Sequence, residues 1–61
     1  MMYVKSKDFE NIVKCAVMYE EYDFLKDLFN HIEIKETGYK VKKVYMSEYY
    51  YNIGMKLVDL E

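Results

Sequence analysis

The chain has no proline, arginine, tryptophan or glutamine, and only one cysteine, one histidine and two glycines in 61 residues. One cysteine cannot close an internal disulfide. A single histidine beside it leaves no Cys/His cluster to hold zinc. A chain of this size buries only about 60% of its unfolded surface, so a lone copy without staple or metal is marginal. Self-association or binding to another protein is the remaining remedy. The missing arginine removes the side chain best suited to bidentate base and phosphate contacts. That disfavours sequence-specific reading of the DNA major groove. No apolar run approaches the about 18 residues of a membrane span. Met1-Met2-Tyr3-Val4-Lys5 lacks the apolar core of a signal peptide. A lone cysteine suits a reducing compartment, and the protein is read as cytoplasmic, in a cell or in an infected host.

What is present argues for a folded chain. Apolar residues make up 52%, with eight tyrosines and five methionines among them. One small domain over 1–61 is expected. The net charge of −2 is unevenly spread. Residues 20–36 hold six carboxylates against two lysines, and residues 37–56 hold four lysines against one carboxylate. An acidic middle and a basic later part are either two solvated faces or a charged surface for a partner.

Residues 6–31 contain no glycine and read as helix. Ser6 is a candidate N-cap, with Asp8 and Glu10 in the first turn. Phe9, Ile12, Val13, Ala16 and Val17 recur at helical spacing, and the stripe resumes weakly at Phe24 and Leu28. A second stripe of Cys15, Met18, Tyr22, Leu25, Phe29 and Ile32 steps like a heptad seam. A surface helix needs only one stripe. Either the helix breaks near Glu20–Asp23, with Asp23 capping the second half, or one long helix buries its second side on a partner. A straight helix over 7–31 would run about 37 Å, whereas a compact chain of this length has a radius of gyration of about 10–11 Å.

The pattern changes at residue 32. Ile32-Glu33-Ile34-Lys35 alternates with period two, Thr37-Gly38 supplies a turn, and Tyr39-Lys40-Val41-Lys42 alternates again. Val44 and Met46 fall out of phase with Tyr39 and Val41, which calls for a bulge at Lys42-Lys43 or a change of buried face. Tyr49, Tyr51, Ile53, Met55 and Leu57 alternate as in a strand. Tyr50, Ile53, Leu57 and Val58 also fit one face of a helix opened by Ser47, though Gly54 would cost that helix about 1 kcal/mol relative to alanine. Tyr3-Val4 offers a short edge strand. The expected fold class is α+β. A long or broken N-terminal helix (about 6–31) packs on a three-stranded antiparallel meander (about 32–36, 39–46 and 49–58), with a helical last segment as the alternative.

No catalytic or cofactor-binding constellation is present, and none is expected to act. His31 sits beside Asn30 where a helix end favours both residues. Cys15 reads as a small buried apolar residue. The acidic Glu20, Glu21, Asp23 and Asp27 read as a solvated face or as an interface for a basic partner. Tyr45, Tyr49, Tyr50 and Tyr51 with Lys40, Lys42 and Lys43 form the most unusual cluster. Tyrosine brings large contact area with few rotors to freeze. An aromatic–basic sheet also suits stacking of single-stranded nucleic acid, but the motif of sheet-based RNA readers is absent. In size, acidity and lack of catalytic chemistry the chain is similar to the small accessory proteins of viruses and mobile elements. Many of those occupy a surface of a host enzyme, regulator or defence complex. The expectation is a non-enzymatic, protein-binding inhibitor or regulator acting as a homodimer. The seam Cys15, Met18, Tyr22, Leu25, Phe29 and Ile32 would hold the dimer, and the acidic segment or the Tyr/Lys sheet would meet the target. A nucleic-acid-binding module is the alternative, weakened by the net negative charge; no membrane partner is expected.

Overall fold

A computed structural model describes residues 1–36 and 42–61. In chain order it contains β1 (Met2–Val4), α1 (Ser6–Met18), α2 (Tyr22–Phe29), β2 (Ile32–Glu36), β3 (Lys42–Met46) and α3 (Glu48–Asp59). The class is α+β, with the N-terminal helix on a three-stranded antiparallel sheet of order β1-β3-β2.

The apolar face of α1 explains its place. Phe9, Ile12, Cys15 and Ala16 are all buried, and at about 100° per residue they share one side of the helix. Cys15, from the second stripe, therefore joins the first on one broad buried arc. On α2 the buried residues are Leu25 and Leu28. Helix α1 contacts α2, α3 and β3. The core consists of Val4, Phe9, Ile12, Leu28, Val44 and Met46, with Phe24, Tyr50, Tyr51, Met55 and Val58 among the residues packed against it.

The helix over 6–31 is broken. Glu20 has φ 58°, in the left-handed region. Its N–H donates to the Val17 carbonyl at 3.1 Å, and the Glu21 N–H donates to the Ala16 carbonyl at 2.8 Å. Those two bonds form a Schellman motif with glutamate where glycine is usual. Glu20 thus interrupts the apolar stripe because it is the residue that stops α1. Two expected caps differ. Lys5 precedes α1 and Ser6 is its first residue, a shift of one position. Glu21 occupies the N-cap of α2 without a side-chain bond, and Asp23 lies in the first turn, where the helix dipole favours its charge.

The hairpin strand 32–36 matches β2. The partner strand is described from Lys42, so the Thr37-Gly38 turn and residues 39–41 lie outside the described residues. Pairing runs unbroken from Ile32↔Met46 to Glu36↔Lys42. No bulge therefore sits at Lys42-Lys43. Of the two readings of 49–58, strand and helix opened by Ser47, the structure has the helix. Ser47 caps α3, its Oγ accepting from the Tyr50 N–H at 3.4 Å. The third strand is β1, paired Tyr3↔Tyr45 and Val4↔Val44. Alternation is not the segment's only pattern: Tyr51, Met55 and Val58 fall at i, i+4 and i+7, and with Tyr50 they pack on the core. A Cβ built on Gly54 would lie 2.6 Å from Ile12 Cγ2. The glycine counted against a helix is what lets α3 approach α1.

Candidate interaction surfaces

Alternation along β1, β2 and β3 sends Val4, Ile32, Ile34, Val44 and Met46 to the helix side of the sheet. It sends Tyr3, Glu33, Lys35, Lys43 and Tyr45 to the outer side. The Tyr3 and Tyr45 rings meet edge to face at 5.8 Å. Lys35 Nζ lies 5.2 Å from the Tyr45 ring centroid and 3.7 Å from Glu33 Oε1. This outer face holds one of the four tyrosines expected on a Tyr/Lys sheet. Tyr49, Tyr50 and Tyr51 belong to α3 instead, Lys40 lies outside the described residues, and Lys42 opens β3.

Tyr50 is committed internally. Its ring stacks on His31 at 5.2 Å, meets Phe24 at 6.4 Å and meets Tyr49 at 5.3 Å. His31 Nδ1–H donates to the Asp27 carbonyl at 2.7 Å, which ties the ring to the end of α2. Tyr51 is half-buried against the core, and Tyr49 is exposed.

The turn between α1 and α2 exposes a second surface. Val17, Met18, Tyr19 and Tyr22 all face solvent, Met18 at 51% and Tyr22 at 59%. Glu20, Glu21 and Asp23 are exposed between and beside them. Asp27 is exposed farther along α2. The six residues of the proposed seam do not form one face. Cys15 and Leu25 are buried in the chain's own core, Ile32 is half-buried, and Met18, Tyr22 and Phe29 are exposed. The break at Glu20 rotates the two halves out of register.

A third surface is a groove of about 710 Å³ between the helices and the β2 side of the sheet. Phe9, Val13, Phe29, Ile34 and Val44 line it, with Glu10 and Lys14 from α1. Phe29 meets Phe9 edge to face at 6.1 Å, yet it and Ile34 remain 52% exposed each. The sequence pattern placed Ile34 on a strand but carried no sign that the helices would leave it open. That depends on how far α2 reaches.

Cys15 is buried, and its Sγ–H donates to Glu61 Oε2 at 3.4 Å. Burial, then the Glu61 hydrogen bond and charge, push its pKa up despite Lys14. A thiol held protonated is a poor nucleophile. Among the described residues no three His, Cys, Asp or Glu side chains converge as a metal site. No described helix is long and apolar enough to cross a membrane.

Comparison with family models, with curated proteins and with solved structures found no match.

Proposed function

We propose that this protein is a non-enzymatic binding protein, an inhibitor or regulator that works by occupying a surface of another protein. The observation that carries this reading is the α1–α2 turn. Four apolar or aromatic side chains, Val17, Met18, Tyr19 and Tyr22, stand exposed beside Glu20, Glu21 and Asp23. Solvated turns are ordinarily polar, and a contiguous exposed apolar patch rimmed by polar groups is a feature of interaction sites. The Schellman motif holds the patch on a defined backbone, so little order need be gained on binding. The carboxylates select a partner with a basic rim around an apolar recess. A virus- or mobile-element-encoded protein of this kind would act on an enzyme, regulator or defence complex in the host cytoplasm.

A photo-cross-linking residue at Tyr22 in living cells tests the assignment, with the same residue at exposed Lys56 as control. A discrete protein adduct from position 22, absent from position 56 and lost with Glu20→Lys/Glu21→Lys, is the expected result. Equal adducts from both positions would remove the turn from consideration.

The second reading is single-stranded nucleic acid on the outer sheet face. Tyr3, Tyr45 and Lys43 favour it. Lys35 already engages Glu33 and Tyr45, and three of the expected tyrosines lie on α3. A labelled oligonucleotide at low salt discriminates: lysine–phosphate contacts give an affinity that falls steeply with added salt.

A further inference from the structure

The sheet has two open sides, β1 and β2, because β3 lies between them. The β1 side is three residues long, short enough to blunt edge pairing. The β2 side is five residues, Ile32-Glu33-Ile34-Lys35-Glu36. It borders the groove where Ile34 and Phe29 stand half exposed. We propose that a second copy of this chain occupies it, β2 pairing antiparallel with β2 of the partner about a two-fold axis through Ile34. The result is a six-stranded sheet with all helices on one side.

The charge pattern of β2 carries the argument. Residues opposite one another in an antiparallel pair share a face, so a symmetric pairing must centre on a residue. Centred on Glu33, the strand sets that carboxylate against its own copy. Centred on Lys35, it sets two ammonium groups together. Like charges directly opposite are destabilising. Centred on Ile34, the pairing places Glu33 opposite the second copy's Lys35, and Lys35 opposite its Glu33, both on the outer face. On the helix side, Ile34 meets its own copy and leaves water. Among these three registers only this one opposes unlike charges, with Ile34 against its own copy at the centre and Ile32 opposite Glu36 at the strand ends. The charged residues thus exclude the neighbouring registers, which is how a strand avoids indiscriminate edge pairing while permitting one partner. The surface is separate from the α1–α2 turn, so the two assignments stand or fall independently.

The test is solution mass by light scattering over a dilution series, with circular dichroism confirming the fold of each variant. The natural chain should move from about 15 kDa, twice the 7.5 kDa monomer, toward 7.5 kDa on dilution. Lys35→Glu and Glu33→Lys should each be folded monomers, because each sets like charges opposite one another. Their equimolar mixture should return to dimer mass, since every pair across the interface is again unlike. A natural chain that stays monomeric at every concentration overturns the proposal. So does a dimer that both charge variants retain, or one dispersed by Tyr22→Ser but not by Lys35→Glu. Ile34→Cys supplies a second readout. Cα atoms paired across antiparallel strands lie about 4.5–5.5 Å apart, within disulfide range. Mild oxidation should cross-link this variant and leave Met18→Cys uncross-linked; the reverse pattern also overturns it.

Discussion

Gly54 of α3 lies directly against Ile12 of α1, so closely that a Cβ at 54 would stand 2.6 Å from Ile12 Cγ2 and 3.0 Å from Cγ1 and Cδ1. Ile12 is fully buried. Two helices otherwise rich in bulky residues approach here because one of them offers no side chain.

Gly54→Ala should therefore destabilise the protein, although alanine is the better helix former by about 1 kcal/mol. Overpacking a filled site costs about 1–3 kcal/mol, so the steric effect should outweigh the propensity gain. Chemical denaturation of the single variants and of Gly54→Ala/Ile12→Ala would measure the coupling. The double variant should lose less than the sum of the singles; strict additivity would show that the two side chains do not meet.

Glu20→Gly should stabilise the chain. A non-glycine residue in the left-handed region costs about 1–2 kcal/mol, and glycine gives back part of the difference as unfolded-state entropy. The net gain expected is about 0.5–1 kcal/mol. Thermal unfolding of Glu20→Gly against Glu20→Ala measures it, since alanine shares the strain and should not raise Tm. Equal midpoints for both variants would contradict the geometry at Glu20.

Ser47→Ala should cost about 0.5–1 kcal/mol by removing the N-cap of α3. The bond to Tyr50 N–H is 3.4 Å long, which puts the expectation at the lower end of capping effects. Ser47→Asp should recover the loss. A helix indifferent to both changes would mean that α3 is held by packing alone.

The buried Cys15 thiol makes stability depend on alkaline pH. Its folded pKa is raised above the ordinary value of 9.0, by burial first and then by Glu61. As pH climbs past about 9, the unfolded chain releases the thiol proton while the folded chain keeps it. The folded state then binds more protons, so stability falls with rising pH. Below that range the full contribution is present. Cys15→Ala lacks this group, so the stability gap between natural chain and variant should narrow between pH 7 and pH 10. A constant gap would show that the thiol titrates normally. Alkylation of the native protein at pH 8 should likewise be slow and become rapid on unfolding.

Local pattern is sufficient where the deciding groups are neighbours along the chain. Strand β2 was bounded correctly because alternation over Ile32–Lys35 gives way at both ends to a different pattern. The end of α2 was legible from Asn30 and His31, whose groups suit a helix terminus. Apolar stripes that change side near Glu20–Asp23 allow a break there or one long helix buried on both sides; the left-handed Glu20 selects the break. Glu20 itself carried no backbone signal, because a glutamate in a left-handed conformation looks like any other. Tyrosine is common on interfaces, so residue type alone points Tyr50 and Tyr51 to a surface. Tyr50 instead stacks between α2 and α3, and Tyr51 packs on the core. Ile34 was legible as a strand residue, not as an exposed one.

Sequence alone fixes which stretches are apolar on one side, that one cysteine leaves no internal disulfide, and that β2 has a partner strand after it. Those properties follow from residue type and spacing along the chain. Tertiary structure decided between strand and helix for 48–59, promoted β1 from a possible edge to the third strand, and turned Cys15 and Leu25 inward. Each depends on a residue far away in sequence: Gly54 on Ile12, Val4 on Val44, Cys15 on Glu61. A residue that fits two periodicities has no preference until the surface it packs against exists.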